Sequence, residues 1–181
     1  MENLFVDAIC QAAVEILGEK EAFDSLKAMG LPTLVPADAS CFSLEDLGAV
    51  LARKYDPQTA MGLLIRVGRA SLIFLRRYYS EISDLGSIDN RLKPLDKRFM
   101  KSLTTLAECV SSELGQPVSI SAQDALSYTW QIQAGQQTYT LYYHFGLLEE
   151  FCAWLDSRKD YQLVHAGNDA TCLQIFIKEK A

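Results

Sequence analysis

The chain has 181 residues and a net charge of −6, with 49% hydrophobic and 22% charged residues, which is typical of a globular protein. This length predicts one domain with a core of its own, and the acidic residues near its start argue against a secretory signal peptide. The five cysteines are scattered and never form a Cys-x-x-Cys pair. They predict reduced thiols and a cytoplasmic location rather than a disulfide framework.

Charge is unevenly distributed along the chain. Residues 53–101 include eleven basic and five acidic side chains, whereas the rest of the chain has a net charge of −12. A basic segment can bind nucleic acid or anionic lipid, or it can lie against acidic neighbours within one fold or across a dimer. We favour the second interpretation, because the whole chain is acidic and contains no nucleic-acid-binding motif.

Three helices are predicted in the N-terminal part of the chain. Apolar residues at helical spacing indicate the first over residues 3–17, and a glycine ends the second, over 19–29. Residues 31–42 contain two prolines and are predicted as an extended connector. Ser43 then begins a helix that extends to about Lys54 and has an acidic first turn, as the helix dipole favours.

The most apolar stretch of the chain lies at its centre, from Asp56 to about Glu81. Asp56 can cap a helix and Pro57 suits its first turn, because the N–H groups of that turn have no intrahelical partner. The apolar run that follows contains only two charged residues, Arg66 and Arg69. Such a helix is normally buried on most sides, and this one is too short and too interrupted to cross a bilayer. The sequence therefore predicts the central helix of a soluble domain.

The pattern changes from helical to alternating in the following segment. Residues 83–94 mix glycine, asparagine, aspartate and lysine and are predicted as a mobile surface loop. An amphipathic pattern predicts a helix over 95–114, which Gly115 ends. Apolar and polar residues then alternate over 118–122 and 126–133, which predicts two antiparallel strands.

The C-terminal part of the chain is predicted to contain one helix and two strands. Residues 138–144 are ambiguous because they are rich in Tyr and Thr, whereas 146–155 place apolar residues on one side of a helix. Residues 160–166 and 171–178 are predicted as strands joined by a turn at 167–170.

Helices that precede an antiparallel sheet predict an α+β fold, with helices packed on one twisted antiparallel sheet in two layers. No domain boundary is evident, so residues 1–181 are predicted to form a single domain. Within it, residues 1–54 supply the N-terminal helices and 56–114 the central helices. Residues 117–178 supply the antiparallel sheet with one crossover helix.

Two stretches resemble the 4-vinyl reductase domain family, also called hydrocarbon-binding. The first, residues 55–74, contains a Gly…Arg-x-Gly-Arg segment made of Gly62, Arg66, Gly68 and Arg69. The second, residues 146–154, precedes a hairpin in which Ala166 and Cys172 match the family pattern. The resemblance implies the fold that vinyl-reductase domains share with TRAPP subunits, commonly dimeric. It also implies a hydrophobic small molecule held between the helices and the sheet.

The resemblance implies a possible zinc site, because many members of that family look like zinc binders that use hairpin cysteines. Here Val164 stands at the position of the first hairpin cysteine, and only Cys172 remains. Structural zinc needs four ligands, usually Cys or His, and the nearby His144, His165 and Asp169 do not complete such a set. We therefore predict no metal. We also predict no cofactor, since the sequence contains neither a flavin nor a nicotinamide fingerprint.

Basic and aromatic residues around the central helix and the sheet are the candidate ligand-binding residues. The two arginines of the central helix lie three apart and can contact a ligand anion, or can instead pair with an acidic neighbour. Aromatic side chains can line a pocket for a planar apolar ligand, although at strand and helix spacing they usually belong to the core. The candidates are Arg66, Arg69, Phe74, Trp130, Tyr142, His144, Phe145, Phe151 and Trp154. No catalytic residue is predicted.

These features predict a non-catalytic module that binds or senses a hydrophobic small molecule or lipid. It is expected to be soluble, cytoplasmic and homodimeric, with no nucleic-acid partner and no membrane span. One alternative is a dimeric protein-interaction scaffold whose ancestral ligand pocket has closed. Another is a reductase-type enzyme, for which the sequence offers no catalytic motif.

Overall fold

The computed structural model describes residues 3–31, 42–133, 138–166 and 171–179. The helices before the sheet are α1 (Leu4–Leu17), α2 (Glu19–Ala28), α3 (Leu44–Lys54), α4 (Pro57–Tyr78), α5 (Ser80–Asp84), α6 (Ile88–Arg91) and α7 (Leu95–Leu114). They are followed by β1 (Val118–Asp124), β2 (Ser127–Ile132), α8 (Thr138–Leu155), β3 (Lys159–His165) and β4 (Cys172–Glu179). Residues 32–41 of the predicted connector and the predicted turn at 167–170 lie outside the described residues.

Local sequence signals account for several helix ends. The side chain of Asn3 accepts hydrogen bonds from two N–H groups in the first turn of α1. Asp56 caps α4 by accepting from the N–H of Thr59 at 2.9 Å, and Pro57 occupies the first turn, as predicted. Gly115 ends α7 with a φ of 61°, in the left-handed region that favours glycine.

The helix against which most other helices pack is α4. It contacts α1, α3, α5 and α8, and its buried residues include Leu64, Val67, Leu72 and Leu75. The face between these neighbours is open to solvent, so α4 is more exposed than predicted. We call this face the arginine stripe of α4; it consists of Gly62, Arg66, Arg69, Ile73, Arg76 and Arg77.

Length and composition alone make α4 the one helix in the described part of the chain that could cross a membrane. That criterion is weak, because the core helix of a soluble protein satisfies it as well. In this fold four other helices contact α4, and its open face is lined mainly by arginine.

Glycine allows α4 and α8 to pack with their backbones in contact. A Cβ atom added at Gly68 would lie 2.2 Å from the carbonyl oxygen of Tyr143, and one added at Gly146 would lie 2.0 Å from that of Ile65. Backbone atoms inside a helix cannot move aside as the end of a flexible side chain can. By contrast, a Cβ at Gly62 would meet no atom within 4 Å.

The stretch 138–144, ambiguous by sequence, forms the first half of α8. Glu45 of α3 holds its first turn, because Oε2 accepts hydrogen bonds from the backbone N–H groups of Tyr139 at 2.9 Å and Thr140 at 3.1 Å. A carboxylate at a helix N-terminus also complements the helix dipole. Glu45 thus supports a second helix as well as the start of its own, which the sequence pattern did not reveal.

The segment 83–94 was predicted as an irregular loop, and this was wrong in part, because it contains the end of α5 and all of α6. Asn90 of α6 is buried, and its side-chain Nδ2 donates to the carbonyl oxygen of Leu85 at 2.7 Å and to Oγ of Ser102 at 3.3 Å. The first bond lies within the segment, and the second attaches the segment to α7.

The four described strands form one sheet in the order β1-β2-β4-β3, and all neighbouring strands are antiparallel. Trp130 of β2 is the cross-strand partner of Leu173 in β4, and Tyr128 is that of Ile175. All four side chains are buried and belong to the same hydrophobic cluster as the helices. The predicted fold class, helices packed on one antiparallel sheet, is confirmed.

Candidate functional site

Trp130 and His144 meet in the core, where both side chains are fully buried. The indole Nε1 of Trp130 donates to Nδ1 of His144 at 3.1 Å, so the proton of the neutral imidazole resides on Nε2. Among the described residues Nε2 has no hydrogen-bond partner. Burial lowers the pKa of His144 to about 3, and the ring is therefore neutral at physiological pH.

Tyr142 and Phe145 lie on a second side of α8, where they face β3. Both contact His165, with ring centroids 5.5 Å and 6.0 Å from its imidazole. Their side chains are half-buried, whereas His165 is exposed. These three rings pack α8 against the outer strand of the sheet.

Phe151 and Trp154 lie near the end of α8, with ring centroids 5.9 Å apart. Phe151 is fully buried, but Trp154 is half-buried and reaches the surface. The guanidinium of Arg76 lies 4.4 Å from the Trp154 ring centroid, in a cation–π contact. Trp154 therefore contacts both the core and an exposed arginine.

Arg66, Arg69 and Phe74 lie on or beside the arginine stripe. Arg69 pairs with Glu149 of α8 at 2.5 Å. Pairing with an acidic neighbour was one of the two roles that the sequence allowed for this arginine. Arg66 is exposed, and Phe74 lies beneath the guanidinium of Arg77 at 5.7 Å from the ring centroid. A role in ligand binding for these residues stays a prediction.

The described residues offer few side chains suited to bind a metal ion. Among the described residues, no group of three or more His, Cys, Asp or Glu side chains is placed to hold a metal ion. Burial raises the pKa of the Cys10 and Cys109 thiols to about 12, and it also raises the pKa of Cys152. The thiolate, which is the form that binds metals, is therefore disfavoured at all three positions.

Surface hollows of about 370, 400, 450 and 640 Å³ all have the size of a small-molecule site, and the smallest and the largest of these are the two candidates. One, of about 640 Å³, lies beside α7 and the β1–β2 turn; its apolar lining is Met100, Ala122, Ala125 and Tyr128, and two lysines and two aspartates surround it. The other, of about 370 Å³, lies where α6, α7 and the end of α8 meet. We call it the arginine hollow; its lining includes Arg91, Leu92, Arg98, Trp154, Asp156 and Arg158.

Arg98 and Asp156 form a buried ion pair in the lining of the arginine hollow. Nη2 of Arg98 donates to Oδ2 of Asp156 at 2.5 Å, and the two side chains are 3% and 4% exposed. Arg158 donates to the same carboxylate through Nε at 2.9 Å and through Nη2 at 3.0 Å. These bonds from Arg158, together with the Arg98 pair, hold the pKa of Asp156 well below its usual range. One carboxylate thus faces two guanidinium groups.

Of the residues that line the arginine hollow, only Trp154 was predicted from the sequence as a site residue. Arg98 and Asp156 are 58 positions apart, and the sequence pattern around neither residue indicates the other. The sequence indicated only a contact between near neighbours, because Asp156 follows the last apolar residue of α8 and Arg158 comes two positions later. That spacing suits a local contact but does not indicate the partner in α7.

A scan against protein-family models gives no match, and a search of curated proteins gives none either. Solved structures match this chain over its whole length, and three illustrate the likeness. A structure from a study of heme distortion in the H-NOX family has a TM-score of 0.65 and 13% identity, covering 100% of this chain and 96% of its own. An oxygen-binding H-NOX domain related to soluble guanylate cyclases, solved as its oxygen complex, has a TM-score of 0.64 and 14% identity, with coverages of 100% and 96%. A mutant of the T. tengcongensis H-NOX has a TM-score of 0.64 and 15% identity, with coverages of 100% and 98%.

These matches correct the resemblance drawn from the sequence. The matching structures are H-NOX domains and not 4-vinyl reductase domains or TRAPP subunits, and a hydrocarbon-binding family is not supported. Identities this low carry the fold but not the function. The chain has the fold of H-NOX domains.

Proposed function

We propose that this protein is a non-catalytic module that binds and senses a small molecule, using the H-NOX fold without heme. The observation that carries the proposal is the match over 100% of the chain to structures of a domain that binds oxygen. The two hollows, of about 640 and 370 Å³, support it because small-molecule sites commonly measure ~300–1,000 Å³. The module is expected to be soluble and cytoplasmic.

Heme does not fit the described residues. Heme iron is held by His, Cys thiolate, Met or Tyr side chains that project into the heme pocket. His144 accepts from Trp130 within the core, and neither hollow is lined by a histidine or a cysteine. Met100 in the hollow beside α7 therefore lacks the histidine that accompanies a methionine ligand in cytochromes c. Burial raises the pKa of the Tyr79 and Tyr143 hydroxyls, as it does for three of the thiols, so the anionic ligand forms are disfavoured. We therefore assign heme no part in the function.

The hollow beside α7 is one place that we propose for an apolar ligand. Its lining is mainly apolar, and the charges of Lys97 and Lys101 are balanced by those of Asp96 and Asp124. An uncharged hydrophobic molecule suits this combination. The lining contains none of the ligand-binding residues predicted from the sequence, so this place is a separate proposal.

Native mass spectrometry of the gently purified protein, before and after organic extraction, tests the proposal. We expect a bound compound whose mass disappears on extraction. Added hemin should give no stoichiometric Soret band beyond that of free hemin. A protein that carries no compound and gains no thermal stability from a panel of small molecules would contradict the proposal. A stoichiometric Soret band lost in His144→Gln would contradict the exclusion of heme.

The predicted alternative, a dimeric scaffold, is favoured by one observation. Ile88 and Leu92, four positions apart, are 75% and 80% exposed, and a monomer rarely leaves large apolar side chains so open in a pair. Sedimentation of the wild type should then show a dimer, and Ile88→Asp should shift it to the monomer. A wild-type monomer at micromolar concentration would exclude a dimer of this kind.

A further inference from the structure

We infer that the arginine hollow binds a small organic anion, one in which a carboxylate or phosphate is joined to a flat apolar group. This inference rests on the proposed function and deepens it, because it names the chemical class and the place of one ligand.

The first argument is the charge of the hollow. Three arginines and one aspartate line it, so the lining carries an excess of positive charge in a chain whose net charge is −6. Both oxygens of Asp156 are already engaged by Arg98 and Arg158, and the aspartate offers little further neutralisation. Such a concentration of guanidinium groups favours an anion.

The second argument is that donors remain available at the hollow. The guanidinium of Arg91 has no partner among the described residues, since only the backbone of that residue is hydrogen-bonded. Arg158 is 78% exposed even though it contacts Asp156, so part of its guanidinium faces solvent. Nε of Arg98 also lacks a partner among the described residues but is buried beneath the surface, so the donors open to a solute are those of Arg91 and Arg158. The planar donor fork of arginine suits the oxygens of a carboxylate or phosphate.

The third argument is the apolar wall. Leu92 is 80% exposed, and the half-buried indole of Trp154 stands in the same lining. A flat apolar group bound against Leu92 and Trp154 would shield both side chains from water. The gain in free energy grows with the apolar area that is shielded. A free inorganic ion would not use this wall, and the hollow therefore fits an anion with an apolar body.

The arginine stripe of α4 extends the positive surface towards the hollow. Arg76 belongs to the stripe and lies on the ring of Trp154, which lines the hollow. Neighbouring charges of one sign raise the local concentration of an anion and speed its association, in a manner that salt screens.

Fluorescence titration with 1-anilinonaphthalene-8-sulfonate, an anion with a flat apolar body, tests the site. Arg91→Gln removes a guanidinium that makes no bond to another described residue and should weaken binding about fivefold or more. Arg53→Gln is the matched control, because it removes an exposed arginine on α3, outside the hollow, and should change binding less than about twofold. Inorganic phosphate should compete with the probe for the wild-type protein. Melting temperatures of both variants should equal that of the wild type.

The outcomes separate this inference from the proposed function. Wild-type affinity in Arg91→Gln would overturn the assignment to the arginine hollow. If the probe still binds but is lost in Ala122→Glu, which fills the hollow beside α7, the proposed function stands and the anion site fails. Weakening by Arg66→Gln alone would also overturn it and would favour the arginine pair predicted from the sequence. No probe binding together with no co-purified compound would contradict both.

Discussion

Asp156 pairs with two arginine side chains, those of Arg98 and Arg158. Asp156→Asn should lower the free energy of unfolding by about 3–5 kcal/mol, because it leaves the charge of Arg98 buried and unpaired. Urea denaturation measures the loss. The control is Glu149→Gln, which breaks the exposed Arg69 pair, where the two side chains are 44% and 41% exposed. It should cost less than about 1 kcal/mol. Similar losses in the two variants would contradict the role of burial.

His144 should make the fold sensitive to mild acid. Its pKa is lowered to about 3 in the folded chain from an ordinary 6.5, so above pH 6.5 it is neutral in both states and contributes no pH dependence. Below 6.5 the unfolded chain binds a proton that the folded chain does not. The free energy of unfolding then falls by up to about 1.4 kcal/mol per pH unit.

The variant His144→Gln isolates this effect, because glutamine does not titrate and can still accept from Trp130. Between pH 7 and pH 5, its free energy of unfolding should fall by about 2 kcal/mol less than that of the wild type. Urea denaturation at the two pH values gives the comparison. If the variant and the wild type lose equal stability on acidification, the buried neutral histidine is not the cause.

At the scale of elements, the contact between α4 and α8 depends on glycine at two positions. Gly146→Ala would place a Cβ atom 2.0 Å from the carbonyl oxygen of Ile65, and we expect a loss of about 1–3 kcal/mol or more. Gly62→Ala, on the open face of α4, meets nothing within 4 Å and should gain about 0.5–1 kcal/mol from helix propensity. Thermal denaturation of the two variants tests this. If both variants were less stable than the wild type, or both more stable, the packing argument would be refuted.

Helices and strands could be predicted from the sequence where the residues that stabilise them are close together in the chain. Asp56, Pro57 and Gly115 sit at helix ends that short patterns identify, and those ends were correct. The first half of α8 was ambiguous, because the carboxylate that holds its first turn comes from Glu45, 94 positions away. The arginine hollow was missed for the same reason: its ion pair joins α7 to the residue that follows α8, through Arg98 and Asp156.

For the whole molecule, the order of helices and strands predicted the two-layer fold class but not the structural family. The segment that carried the resemblance includes Gly68, which in the structure allows α8 to approach, and Arg69, which pairs with Glu149. Any closely packed helix pair can require a small residue and a surface ion pair at such positions. The glycine and the arginine reflect how two helices pack, and they therefore do not distinguish one α+β family from another.

The whole chain is expected to fold without metal. Among the described residues no cluster is suited to a metal ion, and the β2–β4 contact is closed by fully buried apolar side chains such as Leu173 and Ile175. Structural zinc contributes directly to the free energy of folding, so its removal lowers the melting temperature. We expect the same melting temperature with and without a strong chelator, and little zinc by elemental analysis after expression in zinc-supplemented medium. Near-stoichiometric zinc that is lost in Cys172→Ser, with a fall in melting temperature, would show that the expectation is wrong.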